Sequence, residues 1–228
     1  MGEVIRLTEG DLHKIVEIKM RKFLLIFFVS FLTSCMTAFG QIIVPYNEVI
    51  NKGIYKSYYS YKVQGPSFVI YKLYKGGGNC SRKNDRFRSE KGLPHFYYKK
   101  SGYDIGHLAN AEDFAYDCDK EKLTFNYINT IPQTPHLNRG SWKHWEDEIR
   151  KESQSDSLLI MCGGSEYDYK NVPRHCFKLV FSLTTGRLLY HLFFNNTNAE
   201  TDTIPMNPSF IKEYDYKKVK NLWYGKLQ

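Results

Sequence analysis

Apolar positions after residue 40 cluster into short runs. Residues 67–73 (Ser-Phe-Val-Ile-Tyr-Lys-Leu) are rich in β-branched and aromatic side chains and are followed by Gly76-Gly77-Gly78, which predicts a strand ending in a loop. Residues 157–161, 176–183 and 187–194 predict three further strands, the last two joined as a hairpin through Thr184-Thr185-Gly186. Leu137 to about Glu152 reads instead as one helix. Strands around a single helix predict an α+β domain. No long linker, internal repeat or second periodicity follows Gln41, so residues 41–228 are expected to form one domain.

The first 40 residues follow a different pattern. Met20-Arg21-Lys22 precede an apolar run from Phe23 to Leu32 broken only by Ser30, with small residues after it, the layout of a secretory signal peptide over 20–40. The run is too short to span a bilayer comfortably. Cleavage after Ala38-Phe39-Gly40 releases a secreted or periplasmic domain, whereas Leu32-Thr33-Ser34-Cys35 resembles a lipobox and makes a lipoprotein anchored at Cys35 the alternative. Residues 1–19 are an N-terminal extension, either a misassigned start, with translation beginning at Met20, or a lead segment.

Charge narrows the choice of partner. Of 32 Lys plus Arg and 24 Asp plus Glu, residues 1–40 hold five and four, so 27 face 20 in the domain and its charge is +7. Such an excess favours encounter with anions without specifying a fold. Four cysteines remain, Cys80, Cys118, Cys162 and Cys176. In an exported chain this even number permits two disulfides in any of three pairings, with reduced thiols as the alternative; no Cys-x-x-Cys spacing supports zinc. The triple glycine lacks the Gly-Lys-Ser/Thr of a nucleotide-binding loop.

Candidate chemistry is concentrated between 104 and 150. Asp104-Ile105-Gly106-His107 is followed by Asn129-Thr130-Ile131-Pro132-Gln133, then by Leu137-Asn138-Arg139-Gly140-Ser141-Trp142 with Glu146 and Arg150. On one helix, positions four apart advance about 40° around the axis, which would place Asn138, Glu146 and Arg150 on one broad face with Trp142 between them. An amide oxygen, a carboxylate and a guanidinium together suit a hydrated cation and a phosphate, since magnesium takes oxygen ligands and keeps several waters. His107 supplies a base that is partly neutral near pH 7. Asn138, at the start of the helical run, also suits an N-cap, and Glu146 with Arg150 also suits a surface ion pair.

These three motifs, in this order and spacing, resemble the DNA/RNA non-specific endonucleases of the ββα-metal, or His-Me finger, class, whose signature is Asp-Arg-Gly-His, Asn-Ile-x-Pro-Gln and Leu-Asn-x-Gly-x-Trp-x3-Glu. Tyr71–Leu73, Val172-Pro173 with 177–180, and Phe193–Asn195 resemble the family's flanking strands, so the likeness covers most of residues 41–200. It implies a central antiparallel sheet with an active-site helix, and a magnesium-dependent endonuclease acting on DNA and RNA through the phosphate backbone, with manganese or another divalent cation as a substitute. It also implies 5′-phosphate and 3′-hydroxyl products. By the resemblance, His107 is the general base, Asn138 the direct metal ligand and Glu146 a ligand through water. Asn129 orients the histidine or the metal's water shell, Arg150 contacts the scissile phosphate, and Arg82 is a further phosphate-binding arginine. Asp104 and Gly106 support the motif.

One position departs from the pattern: Ile105 stands where the family has arginine. Loss of one charge-stabilising donor costs about 10²-fold or more in rate, and Arg82, Arg139 and Lys143 are candidates to replace it. The alternative function is therefore a catalytically impaired relative that binds nucleic acid. His136, His144, His175 and His191 match no position of these motifs and are not expected to be catalytic. Trp142 and Trp145 read as packing residues, and Lys217, Lys218 and Lys220 as the solvated face of a terminal helix.

Overall fold

Both side-chain sets of the apolar runs are buried, which is why those runs read as nearly continuous. Along residues 158–162, Leu158, Ile160 and Cys162 enter one core, while Leu159 and Met161 enter a second on the opposite side of the sheet. The computed structural model describes residues 43–198 and 208–225. The extension at 1–19, the signal segment at 20–40, both candidate processing sites and Cys35 lie outside that range. Residues 42–228 make one compact unit.

Six strands form one antiparallel sheet: β1 (Glu48–Asn51), β2 (Tyr55–Ser60), β3 (Gly65–Leu73), β6 (Leu158–Tyr167), β7 (Pro173–Ser182) and β8 (Leu188–Asn195), in that spatial order. The insertion between β3 and β6 carries a second, two-stranded sheet, β4 (Asp104–His107) with β5 (Thr130–Gln133). It also carries helices α1 (Cys118–Thr124), α2 (Pro135–Arg139) and α3 (Ser141–Glu152). After β8 come α4 (Pro208–Glu213) and α5 (Tyr216–Tyr224).

All four predicted strands are present. The strand predicted to stop at 161 runs on to Tyr167 through Gly163 and Gly164, where a Cβ on Gly163 would crowd the backbone of Phe68. β1 and β2 were not legible as strands, because their short polar-aromatic runs lack the dense apolar content of the later ones. The hairpin turns at Gly186, with φ of 72°.

The single predicted helix over 137–152 is corrected to two. Gly140 leaves helical geometry (φ −99°, ψ −113°) between α2 and α3, and its N–H bonds the carbonyl of His136. Thr134, not Asn138, caps α2, accepting from the Leu137 N–H. Trp142 and Ile149 of α3 pack on the first core, and Trp145 lies beside Tyr190. Val219 and Leu222 of α5 close the second core, leaving Lys217, Lys218 and Lys220 exposed.

Of the two disulfides that four cysteines permit, one is present. Cys80 is bonded to Cys118, while Cys162 and Cys176 are buried thiols in the sheet. Burial pushes both thiols up to about 12, so neither ionises near neutrality. No helix among the described residues is long and apolar enough to cross a membrane.

Candidate active site

His107 ends β4, opposite Thr130. Gly106 precedes it because a side chain there would overlap that of Gln133 on the paired strand. The imidazole lies 4.9 Å from the Phe87 ring and edge-on to Phe125 at 5.0 Å, and its Nε2 is buried with no hydrogen-bond partner among the described residues. Burial, reinforced by the nearby Arg82 charge, lowers the His107 pKa to about 4. The ring is therefore neutral throughout the physiological range, with a nitrogen able to take a proton.

The segment after His107 is held by Asn129. Its Oδ1 accepts from the Ala109 N–H at 2.9 Å, and its Nδ2 donates to the carbonyls of Ala109 and Thr124 at 2.9 and 3.0 Å. Asn129 therefore bears on the histidine through the backbone that carries it. Trp142 Nε1 adds a bond to the His107 carbonyl at 3.2 Å, joining α3 to β4.

Because the helix breaks at Gly140, Asn138 does not share a helix face with Glu146. It reaches the site by another route. Asp104, at the start of β4, accepts from Asn138 Nδ2 at 3.0 Å and from Arg139 through two bonds of 2.8 and 2.7 Å. The amide nitrogen faces the carboxylate, so the Asn138 Oδ1 is turned away and has no partner among the described residues. Arg139 first, with Asn138, holds the Asp104 carboxyl below its usual range.

Glu146 projects from α3 into a buried charged cluster. Its Oε1 lies 3.8 Å from Lys178 Nζ, which itself sits 3.8 Å from the Trp142 ring centroid and has no hydrogen-bond partner. Burial raises the Glu146 pKa to about 7; Lys178 opposes the shift and the like charge of Asp113 adds to it. Asp113 is raised by burial as well, against the pull of Arg150 and a hydrogen bond from Tyr71 at 2.9 Å. Arg150 does not pair with Glu146 as an i,i+4 surface pair. It bonds Asp113 at 3.0 Å, Asp147 at 2.8 Å and Asn110 at 3.3 Å.

A cleft of about 510 Å³ brings Arg82, Asn138, Glu146 and Arg150 together. His107 and Asn129 are not on its lining, and His107 connects to it through the field of Arg82. Arg82 is held by Glu121 at 2.6 Å and by Glu112. Of the candidates to replace the missing motif arginine, Arg139 is committed to Asp104 and Lys143 to Asp147 at 2.9 Å, although both border the cleft. Ile105 lies opposite Pro132 on the paired strand.

Sequence reasoning missed Asn110, Asp113, Asp147 and Lys178. The one available signal was Lys178, a lone charge in the apolar run 176–183. The triple glycine also belongs here: Gly76 abuts Asp113 and Arg150, and Gly78 lies so close to the Ala115 carbonyl that any side chain would collide with it.

Among the described residues no three His, Cys, Asp or Glu side chains converge to cage an ion. Of the oxygen donors that line the cleft, Asn110 and Asp147 face Arg150 and Glu112 faces Arg82, which leaves the Asn138 Oδ1 and the Glu146 carboxylate for a cation. So sparse a set of hard donors fits a cation that keeps most of its waters, as magnesium does.

The sequence profile of the DNA/RNA non-specific endonuclease family matches residues 36–222. A nuclease of Nostoc sp. is 28% identical over 191 residues, covering 78% of this chain and 70% of that protein. Human mitochondrial endonuclease G is 26% identical over 173 residues, covering 64% of this chain and 58% of its own length. In three dimensions, a chain of the crystal structure of the EndoG/EndoGI complex superposes with a TM-score of 0.62 at 19% identity, covering 79% of this chain and 91% of that one. The α+β architecture, a large antiparallel sheet with an inserted ββα site, is therefore the ββα-metal nuclease fold. With its motifs, its fold and the profile match in agreement, the chain belongs to the DNA/RNA non-specific endonuclease family and is a nuclease, a hydrolase.

Proposed function

We propose that the protein is an exported, magnesium-dependent endonuclease that hydrolyses phosphodiester bonds of DNA and RNA with little base selectivity, leaving 5′-phosphate and 3′-hydroxyl ends. The observation that carries this reading is the meeting, in one cleft, of an uncommitted amide oxygen, a buried carboxyl and two arginines. Asn138 Oδ1 holds the cation directly and Glu146 through water. When bound, a divalent cation supplies Lewis-acid stabilisation of charge on the phosphate and the leaving oxygen. His107 takes the proton of the attacking water, its neutrality being secured by burial. Arg150 and Arg82 neutralise phosphate charge and position the strand, contacts that carry no base information.

Export is supported by the Cys80–Cys118 disulfide, a bond that persists in oxidising compartments. Mass spectrometry of the mature N-terminus distinguishes release near Gly40 from lipidation at Cys35. The second reading, an impaired nucleic-acid-binding relative, is motivated by Ile105 together with the commitment of Arg139 and Lys143 to carboxylates.

Supercoiled plasmid and a structured RNA, incubated in magnesium with wild type and with His107→Ala, separate the two. Cleavage of both substrates by wild type and none by the variant is expected. Tight binding without cleavage by wild type would establish the impaired relative instead.

A further inference from the structure

Arg82 is carried on a segment, 76–88, that contains no helix and no regular strand; its only ladder contact is an isolated bridge from Arg88 to Asn126. Its side chain is 39% exposed and pairs with the half-exposed Glu112 and the buried Glu121. The covalent tie lies two residues away. Cys80 is bonded to Cys118, the first residue of α1, and the same helix presents Glu121 to Arg82 Nε at 2.6 Å. Disulfide and ion pair thus tie the segment twice to α1, and Arg82 lines the cleft together with Asn138, Glu146 and Arg150. The Cys80 sulfur also lies 3.1 Å from the Ala115 carbonyl, against which Gly78 is packed, so the segment is anchored on both sides of the crosslink.

We propose that Cys80 and Cys118 are positioning residues for catalysis: their disulfide holds Arg82 at the cleft, and the enzyme reaches full activity only once that bond has formed. Formation removes two electrons and two protons from the two thiols and passes them, by thiol–disulfide exchange, to a partner disulfide that becomes a dithiol. In a reducing compartment Cys80 and Cys118 remain thiols, Arg82 is released from its tether, and cleavage is slow. An exported nuclease built this way spares the nucleic acid of the cell that makes it. The inference rests on the reading of Arg82 as a phosphate-binding residue, and its test separates the two.

The test is a cycle on the full chain, comparing wild type, Cys80→Ser/Cys118→Ser, Arg82→Ala and the triple variant by kcat/KM on plasmid in magnesium. Arg82→Ala is expected to lose about 10²-fold, the scale for removing one charge-stabilising donor. The serine pair is expected to lose at least tenfold in the wild-type background and less than twofold in the Arg82→Ala background. Equal losses in both backgrounds overturn the inference, because the crosslink then acts on the fold and not through Arg82. Full activity of Arg82→Ala overturns the reading of Arg82 itself. If circular dichroism shows the serine pair unfolded, the same comparison is made by reducing folded wild type and folded Arg82→Ala with a phosphine, counting two newly alkylated cysteines by mass. Wild type retaining full activity with both cysteines alkylated contradicts the proposal.

Discussion

His107 and Asn138 each have one atom left without a protein partner, and in each case the neighbours explain which atom it is. Burial among Phe87 and Phe125 leaves the His107 imidazole neutral, with a pKa near 4 instead of the ordinary value near 6.5. The His107 imidazole should therefore titrate near pH 4 by NMR, while any limb of kcat/KM near pH 7 belongs to Glu146, and a His107 midpoint near 6.5 would contradict the burial. The same shift affects stability. Between about pH 6.5 and 4 the unfolded chain binds the proton that folded His107 refuses, a contribution that lowers stability as pH drops through that window and that the raised Glu146 carboxyl opposes. In denaturant titrations His107→Asn should therefore raise stability at pH 4.5 relative to pH 7, compared with wild type. Asp104 acts one step back, since it takes the Asn138 amide nitrogen and so presents the oxygen. Asp104→Ala should weaken magnesium binding about 10- to 100-fold by calorimetry, as loss of a ligand's orienting partner does elsewhere; unchanged affinity would mean that Asn138 is aimed without it.

At the scale of elements, the apolar strands were legible because both faces of the sheet are buried and their runs are dense. The break at Gly140 was not, since an isolated glycine inside a helical stretch is often tolerated. That break changes how the site is built: α3 delivers Glu146 and Arg150, while α2, tied to β4 by Asp104, delivers Asn138. The motif residues themselves were readable, but their partners were not, because Asp113, Asp147 and Lys178 come from segments with no motif spacing to connect them. The loop of three glycines was readable as a loop yet not as a wall of the site. Gly78 has a φ of 154° and backs onto the Ala115 carbonyl. Gly78→Ala should destabilise the fold by about 2 kcal/mol or more in urea unfolding, and a change within 0.5 kcal/mol would mean that the loop can move away freely.

For the whole molecule, one crosslink and an excess of positive charge set the conditions of action. The Cys80–Cys118 bond spans 38 residues, and a loop of that length corresponds to about 4 kcal/mol of unfolded-chain entropy. Reduction should lower the Tm by about 10 °C, and an unchanged Tm would mean that the reduced chain is already constrained. The +7 of residues 41–228 promotes encounter with polyanions, while hydrolysis depends on the cleft. The most direct measurement of that claim is nicking of supercoiled plasmid by the purified protein as magnesium is titrated, with and without excess chelator. The predicted result is conversion to open-circular and then linear DNA that rises with magnesium, stops with chelator and is absent in Asn138→Ala. Cleavage that persists undiminished in chelator, or in Asn138→Ala, would contradict the site described here.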